Sequence, residues 1–278
     1  MILPDIMIEP LVRSALLEDL GRGGDATASL MRADERLDAR FVARAAGVVA
    51  GLDAARIACT LVDPALRFEP LARDGARVAP GSVLARVTGP AASMLTAERT
   101  ALNFLTHLSG VASATRAYVD AVADTRAAIA ATRKTLPGLR ALQKAAVIAG
   151  GGAPHRYGLD DAILIKDNHI AACGSVTEAL KRARAAAGHM RVVEVEVDSL
   201  DQLDEALPHA PNVILLDNFN VADLAEAVRR TAGRCLLEAS GGVTLSTVRA
   251  IAGAGIDVIS VGALTHSAAA LDIGLDAD

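Results

Sequence analysis

Cationic side chains gather in two segments near the middle of the chain. The first is TRKTLPGLR, residues 132–140, which follows an apolar run, and the second covers residues 155–169. An arginine grips a carboxylate or phosphate through two parallel hydrogen bonds, and a lysine acts as a mobile point charge. Each residue alone is typical of a solvated loop, but together they predict a ligand with several negative charges. The set is Arg133, Lys134, Arg140, His155, Arg156, Lys166 and His169.

Carboxylates accompany these cations. Glu196 and Asp217 are the main candidates, with Asp167 and Asp198 as weaker ones. Ion pairing with neighbouring lysines is one interpretation. Binding of Mg²⁺ or ribose hydroxyls is the other, because Mg²⁺ is usually held by one or two carboxylates plus substrate phosphates. His155 fits either a general acid, a ligand for a carboxylate or a structural hydrogen-bonded residue, and no histidine pair has the spacing of a zinc site.

Two short glycine segments could hold a phosphate. SGG at 240–242 follows a predicted strand and precedes a helix predicted to start near Thr244, so backbone N–H groups and the helix N-terminus could form a cradle. VGA at 261–263 ends the last predicted strand and could act likewise. Ordinary turn chemistry is the alternative for both. The glycines at 150–152 lack the spacing of a dinucleotide fingerprint and predict a tight bend instead.

Short apolar strands alternate with helices from residue 127 onward, which predicts a parallel sheet with right-handed crossovers. The predicted strands are Ala127–Ala131, Ala162–Ile165, Val192–Val197, Val213–Leu216, Cys235–Ala239 and Val258–Val261. The predicted helices between them include Val176–Ala187, Leu200–Leu207, Val221–Arg230 and Leu245–Ala254.

Polar residues follow nearly all of these strands. In a barrel the carboxyl ends of all strands meet at one mouth, whereas in an open doubly wound sheet only the switch point holds the site. The strand at 192–197 also places Glu194, Glu196 and then Asp198 on one face, with valines on the other. These features favour an incomplete barrel of six strands over an open sheet.

The first part of the chain has a different pattern. Residues 5–20 have helical spacing and stop at Gly21, and residues 36–90 alternate apolar and polar side chains between glycine and proline breaks, around a helix at Asp53–Val62. Two helices, 92–108 and 111–123, are predicted to follow. We therefore predict a small α/β domain at 1–110 and a barrel domain at 111–266, with residues 267–278 packing back on the first domain.

Composition excludes several functional classes. The chain of 278 residues has a net charge of −5 and 2% aromatic residues, which argues against nucleic acid as a partner. Its three cysteines are far apart, which fits a reducing cytoplasm and neither a disulfide framework nor a thiolate metal site. No apolar stretch has the length of a membrane span and no signal peptide is evident. A soluble cytoplasmic protein is expected.

Eight motifs along almost the whole chain resemble the quinolinate phosphoribosyltransferase family, also called nicotinate-nucleotide pyrophosphorylase (carboxylating). Several of them are long and specific. In chain order they are LLEDLGRGGDAT, AERTALNFLTHLSG, TRKTLPGLR, GGGAPHRYGLDDAILIKDNHI, EVEVDSLDQLDEAL, ILLDNF, LEASGG and DVISVGALTHS.

The resemblance implies a fold, a reaction and a set of site residues. The fold is an N-terminal α/β sandwich followed by an incomplete, six- to seven-stranded TIM-like α/β barrel. The reaction transfers phosphoribosyl from phosphoribosyl pyrophosphate to quinolinate with loss of CO₂, in NAD biosynthesis, and it needs Mg²⁺. The implied catalytic residues are Lys134, Lys166, Glu196 and Asp217, the two acids also serving the metal directly or indirectly. The implied substrate-binding residues are Arg99, Thr132, Arg133, Lys134, His155, Arg156, Lys166, Glu196, Asp217, Ser240, Gly241, Gly242, Val261, Gly262 and Ala263.

The same resemblance implies a homodimer in which Arg99 enters the neighbouring subunit's site, and which could form a hexamer of dimers. Two alternatives stay open at this point. One is the homologue associated with molybdenum transport, which shares the fold and part of the motif set. The other is a non-catalytic anion-binding module that kept the barrel. Arg140 lies inside the next predicted helix and is expected to anchor that helix instead of contacting substrate.

Overall fold

The computed structural model describes residues 3–277 of the chain. They form two compact units, and the chain passes between them after residues 116, 134, 151 and 262. Unit one contains Met1–Arg116, Thr135–Gly151 and Ala263–Asp278, and unit two contains Ala117–Lys134 and Gly152–Gly262. The domain limits stated above stay predictions.

Unit one contains an antiparallel sheet whose strand order is β12-β1-β5-β3. The last strand of the chain pairs with the first, so a strand near the C-terminus completes this sheet. A second, two-stranded sheet joins β2 to β4. The strands are β1 (Arg36–Ala43), β2 (Gly47–Val48), β3 (Arg67–Pro70), β4 (Arg77–Val78), β5 (Val83–Pro90) and β12 (Ile273–Ala277).

The predicted first helix is confirmed, and its burial explains why it forms. Ile8, Val12 and Leu16 recur every four residues and are the buried side chains of this helix, so one apolar stripe faces the core. Gly21 ends it at φ +55°, where its N–H bonds to the Leu17 carbonyl. The helices with residues in unit one are α1 (Asp5–Leu20), α2 (Leu52–Val62), α3 (Ala91–Ala121), α4 (Arg140–Ala149) and α10 (Ala263–His266).

The two helices predicted at 92–108 and 111–123 are wrong as separate elements, because α3 runs without a break from Ala91 to Ala121. Gly110 lies inside it. A Cβ at Gly110 would lie 2.1 Å from the carbonyl oxygen of Ala269. Gly110 therefore allows close backbone packing inside a helix. From the sequence alone, such a glycine cannot be told apart from one that ends a helix.

Unit two contains a six-stranded sheet in the order β6-β11-β10-β9-β8-β7, and every pairing in it is parallel. Strands β6 and β7 are its two edges, so the six strands that the structure describes here do not close into a complete barrel. The ends of four predicted strands differ from the observed ones by one residue. The strands are β6 (Ala128–Ala130), β7 (Ala162–Ile165), β8 (Val192–Val197), β9 (Val213–Asp217), β10 (Leu236–Ser240) and β11 (Val258–Ser260).

Polar caps start three helices of unit two. Ser175, Ser199 and Asn220 each accept a hydrogen bond from a backbone N–H three residues later, which satisfies a donor that the helix itself cannot pair. One prediction is wrong here: the helix predicted from Leu245 begins at Val248, because a turn occupies 245–247. The helices are α5 (Asp167–Cys173), α6 (Val176–Ala187), α7 (Leu200–Ala206), α8 (Val221–Thr231) and α9 (Val248–Gly253).

The three cysteines, Cys59, Cys173 and Cys235, are free thiols. Burial raises the pKa of the Cys59 thiol to about 12, so this side chain serves as a core residue and not as a nucleophile. Within residues 3–277, none of the helices combines the length and the apolar character that crossing a membrane requires.

Candidate active site

A cavity of about 650 Å³ in unit two brings most of the predicted site residues together. They come from the segments that follow β6 and β7 and from the ends of β8, β9 and β10 with the residues directly after β10, so they lie at the carboxyl ends of parallel strands. The predicted residues that line it are Thr132, Arg133, Lys134, His155, Arg156, Lys166, Glu196, Asp217, Ser240, Gly241 and Gly242. Leu164 and Asn218 complete the lining.

Two arginines crowd each other in this cavity. Burial lowers the pKa of Arg156, and the nearby positive charge of Arg133 lowers it further. The buried Nε of Arg133 has no hydrogen-bond partner among the described residues. A buried donor without a partner costs free energy, on the order of 1–3 kcal/mol. Both observations indicate that this part of the cavity is built for a bound anion.

Lys166 and Glu196 form an ion pair across neighbouring strand ends. The Nζ of Lys166 donates to Oε2 of Glu196 at 2.5 Å, and their side chains are 46% and 15% exposed. Lys166 follows β7 directly, and its backbone N–H bonds to Nδ1 of His169 at 2.9 Å. The ion pairing considered in the sequence is therefore present. A half-exposed ammonium can also turn towards a phosphate, because its stem is flexible.

Asp217, at the end of β9, is held by the residue that follows it. Asn218 adopts φ +57° and donates its side-chain amide to Oδ2 of Asp217 at 2.7 Å. Its backbone N–H bonds to the carbonyl of Ser240 at 2.9 Å. A Cβ at Gly241 would lie 2.1 Å from Oδ1 of Asn218, so only glycine fits beside it. The turn after β10 and the acid after β9 therefore form one packed unit.

The two carboxylates fit Mg²⁺ by their chemistry. Glu196 and Asp217 supply hard oxygen donors in a cavity that also holds cations for phosphate oxygens, and Mg²⁺ commonly takes one or two protein carboxylates beside substrate oxygens and water. Within residues 3–277 they are not part of a cluster of three or more ligating side chains. Among the described residues, one such cluster is present, formed by His155, Glu194 and Glu238.

The glycine turn after β10 differs in one respect from the prediction. Gly241 and Gly242 adopt φ +93° and +59°, conformations that favour glycine. Because α9 begins only at Val248, its N-terminus does not follow the glycines directly. Any phosphate cradle here must therefore rely on the backbone N–H groups of the turn and not on the start of a helix.

Some predicted residues do not line this cavity. Val261 is buried and its N–H bonds to the carbonyl of Ala130, and Gly262 is absent from the lining. Ala263 begins α10 and belongs to unit one. Arg99 also lies in unit one, where it is exposed and lines a separate cavity of about 240 Å³. Arg140 begins α4, and its Nε donates to Thr135 at 3.1 Å.

A larger cavity, of about 680 Å³, lies in unit one. Its lining includes Glu18 and Asp19 but no lysine or arginine. Since the chemistry predicted from the sequence needs cations, the cavity of unit two is the candidate active site although it is slightly smaller.

Comparisons with known proteins place the chain in a family. The family model described as "Quinolinate phosphoribosyl transferase, N-terminal domain" matches residues 25–109, and the C-terminal domain model matches residues 111–276. The nicotinate-nucleotide pyrophosphorylase (carboxylating) of Mycobacterium leprae is 51% identical over 271 residues, which covers 95% of each chain. The chain belongs to the quinolinate phosphoribosyltransferase family.

Solved structures similar to this quinolinate phosphoribosyltransferase family member agree over its full length. NadC from Streptococcus pyogenes has a TM-score of 0.95 and 40% identity, and covers 100% of this chain and 99% of its own. The nicotinate-nucleotide pyrophosphorylase of Francisella tularensis has a TM-score of 0.96 and 38% identity, with 100% and 98% covered. The resemblance inferred from the motifs is confirmed, and so is the predicted α/β fold with an incomplete barrel. The molybdenum-transport alternative is not supported.

Sequence reasoning missed Glu238 and Asn218 as site residues of this family member. Glu238 lies two residues before Ser240 on β10, so both side chains leave the same face of the strand. A charged residue in the middle of an otherwise apolar strand was the signal that could have identified it. Asn218 had a weaker signal, since Asn is one of the few residues besides glycine that tolerate positive φ.

The pKa of Glu194 predicts that the stability of the folded protein depends on pH. Burial, together with the negative charge of the neighbouring Glu238, raises the pKa of Glu194 from 4.5 to about 7. The folded state therefore binds more protons than the unfolded state between these values, so the free energy of unfolding should fall as pH rises from about 4.5 to about 7. The expected loss is roughly 3 kcal/mol.

Chemical denaturation at pH 5, 6, 7 and 8, without added metal, measures this loss. Glu194→Gln cannot ionise and should flatten the decline relative to the unchanged protein. Glu178→Gln, at an exposed helical position on α6, is the matched control. A Glu194→Gln variant whose stability keeps the wild-type pH dependence would contradict the assignment.

Proposed function

We propose that this chain transfers phosphoribosyl from phosphoribosyl pyrophosphate to quinolinate with decarboxylation, giving nicotinate mononucleotide, CO₂ and pyrophosphate. Its family membership supports the enzyme class. One observation carries the activity: a single cavity gathers cations from three separate segments beside two acids on neighbouring strands. A dicarboxylate acceptor and a donor with a phosphate and a pyrophosphate need such a surplus of positive charge.

We assign quinolinate, the acceptor, to the part of the cavity lined by Arg133 and Arg156. Arg133 and Arg156 crowd each other there, and each can grip a carboxylate through paired hydrogen bonds. The turn at Gly241 and Gly242 offers backbone N–H groups for the 5′-phosphate of the donor. Lys134 and Lys166 then remain for the pyrophosphate, where compact ammonium charges neutralise a leaving group.

The first chemical step joins the two substrates. The quinolinate nitrogen attacks the anomeric carbon as the bond to pyrophosphate breaks, and positive charge develops on the ribose ring. Glu196 and Asp217 would stabilise that charge or hold the ribose hydroxyls, while the lysines stabilise the departing anion. Binding both substrates in one cavity also replaces a bimolecular encounter with an oriented reaction.

The second step uses the charge that the first creates. After ribosylation the ring nitrogen is positive, so it can stabilise the carbanion left when the carboxylate on the adjacent carbon departs as CO₂. Protonation of that carbon gives nicotinate mononucleotide. No covalent bond to the protein is required, because the cations, carboxylates and hydroxyls that line the cavity can bind and orient both substrates without one.

We propose Mg²⁺ as the cofactor, held by Glu196 and Asp217 directly or through water. When bound, it would neutralise charge on the pyrophosphate. Glu196→Gln and Asp217→Asn keep the size of each side chain and remove its charge, so each should raise the Mg²⁺ concentration needed for half-maximal activity by roughly 10-fold. Asp198→Asn, an exposed neighbour outside the lining of this cavity, is the control.

The measurement is initial rate against free Mg²⁺ at saturating substrates. If both variants keep the wild-type Mg²⁺ dependence and turnover, neither acid serves the metal.

We further propose a homodimer in which Arg99 reaches the neighbouring subunit's site. The support is the motif resemblance and the exposure of Arg99 on α3. Arg99→Ala and Lys166→Ala would each be nearly inactive alone. Mixed after dissociation, they should recover about one quarter of wild-type activity, because about half of the dimers are mixed and each mixed dimer holds one intact site. Each variant carried through the same procedure with itself is the control, and no recovery in the mixture would place Arg99 in its own subunit's site.

A direct assay tests the proposed activity. The protein is incubated with quinolinate, phosphoribosyl pyrophosphate and Mg²⁺, and nicotinate mononucleotide and CO₂ are quantified. Nicotinate replaces quinolinate in the specificity control and should give little product. Failure to form either product from quinolinate would refute the proposed function. We also place the enzyme in the cytoplasm, on the support of its free and widely spaced cysteines.

A further inference from the structure

Two buried acids face one histidine beneath the cavity of unit two. Nε2 of His155 lies 3.3 Å from Oε2 of Glu238 and 3.7 Å from Oε2 of Glu194. Glu194 and Glu238 are only 5% and 3% exposed, and the Oε1 atom of each is buried without a hydrogen-bond partner among the described residues. Buried carboxylates are costly unless a positive or donating group faces them, and His155 faces both.

The other ring nitrogen of His155 is also held. Nδ1 accepts the backbone N–H of Arg156 at 2.8 Å. An acceptor nitrogen carries no proton, so in the neutral ring the proton lies on Nε2, the nitrogen that faces the two acids. His155 therefore presents a donor to the carboxylates and an acceptor to the next residue of the chain.

The backbone at His155 needs such support. Its φ is +53°, a conformation that costs a residue with a Cβ about 1–3 kcal/mol. The segment before it is anchored, because Ala153 forms a β-bridge with Ala130, the last residue of β6. The contacts of the His155 ring with Glu238 and with the Arg156 N–H hold the segment after it, which carries the Arg156 side chain that lines the cavity. Without them, the strained turn would be free to relax and Arg156 would move with it.

A metal ion is the competing occupant of this cluster, since the three side chains offer ligand atoms within 4.8 Å of one another. A metal bound through Nε2 would require the ring proton to move to Nδ1. That proton would then face the Arg156 N–H, so a hydrogen bond would be replaced by a repulsive contact. Arg156 also acts on Glu194 as a positive charge. The geometry favours a proton donor over a metal.

We propose that Glu238, assisted by Glu194, is a positioning residue that fixes the tautomer and orientation of His155 and, through it, the placement of Arg156 in the cavity. The functional part of this proposal rests on the proposed activity, in which Arg156 binds quinolinate. The structural part, the tautomer, does not depend on that activity.

Nitrogen-15 NMR on the full chain tests the structural part. Two-bond proton–nitrogen correlations distinguish the two neutral tautomers and the imidazolium, and the His155 signal is assigned by its loss in His155→Asn. We expect the Nε2–H form in the unchanged protein and a different pattern in Glu238→Ala. The Nδ1–H form, or an unchanged pattern in Glu238→Ala, would overturn the proposal.

Kinetics test the functional part. Glu238→Ala should raise KM for quinolinate at least about 10-fold and leave KM for phosphoribosyl pyrophosphate within about 2-fold, while Glu238→Gln, which keeps an acceptor, should recover most of the difference. In a His155→Ala background the same substitution should add less than about 2-fold, because a residue that acts through another loses its effect when that residue is gone. Multiplicative effects of the two substitutions would overturn the proposal.

Two measurements keep these outcomes separate. Circular dichroism and thermal unfolding establish whether each variant folds. If Glu238→Ala does not fold, the NMR patterns of Glu238→Asp and Glu238→Gln test the role of Glu238 instead. Elemental analysis of the purified protein that finds a stoichiometric transition metal, lost in Glu238→Gln, would also overturn the proposal. Absence of nicotinate mononucleotide from the unchanged protein refutes the proposed function, whereas the tautomer result still decides the role of Glu238.

Discussion

Replacing Lys166 with alanine should lower kcat/KM by roughly 100-fold or more, the largest loss expected from a single side chain in this cavity. The substitution removes a cation proposed to stabilise the departing pyrophosphate. It also leaves Glu196, only 15% exposed, without the ammonium that bonds to it at 2.5 Å. The first effect acts where negative charge develops on the pyrophosphate, and the second disturbs an acid proposed to act beside the ribose, where positive charge develops. The loss should therefore fall mainly on kcat, and saturation kinetics for both substrates measure it.

The chain offers matched controls for this prediction. Lys181→Ala, on the exposed face of α6, removes the same charge from the protein and should leave kcat/KM unchanged. Lys166→Arg keeps the charge but not its compact shape, so it should recover only part of the activity. If Lys166→Ala stays within about 3-fold of the wild-type kcat/KM, the proposed role of Lys166 is refuted.

Gly241→Ala should also cause a large loss of activity, although it adds only one methyl group. That methyl group would lie 2.1 Å from Oδ1 of Asn218, at a position where φ is +93°. Asn218 must therefore shift, and with it the hydrogen bond that holds Asp217. We expect a loss of at least about 100-fold in kcat/KM for phosphoribosyl pyrophosphate, since backbone strain combines with displacement of Asp217, a proposed catalytic carboxylate.

Two comparisons separate strain from collision. Gly242→Ala also demands a positive φ, +59°, but its Cβ would meet nothing within 4 Å, so it should cost less. In the double variant Asn218→Ala with Gly241→Ala, the collision is removed, and part of the stability lost in Gly241→Ala should return. Equal kcat/KM values for Gly241→Ala and Gly242→Ala would show that the collision with Asn218 does not affect activity.

Local patterns along the chain were enough to predict the sheet of unit two. Val193, Val195 and Val197 alternate with polar residues, and the structure buries all three to 1% exposure or less. Strand periodicity depends only on neighbouring residues, because successive side chains leave opposite faces. A helix start with a serine or asparagine cap also depends only on residues close in the chain. For this reason the starts of α6, α7 and α8 were predicted at the observed residues.

Features that depend on distant contacts were not predictable in this way. Gly110 has the signature of a helix break, but it lies within α3 because the carbonyl of Ala269 needs the space. The start of α9 was predicted too early because a turn at 245–247 precedes it. In each case a glycine or threonine is compatible with two local conformations, and the rest of the fold selects one of them.

The sequence by itself determined the family, the parallel strands and the kinds of charge at their ends, because each depends on residue types at fixed spacing along the chain. Only the tertiary structure decided which charges meet. It gathered Arg133, Arg156 and Lys166 in one cavity and placed Glu238 against His155. Such pairings depend on strand order and register, which set the distance even between His155 and Glu238, 83 positions apart in the chain, and leave no trace in local spacing.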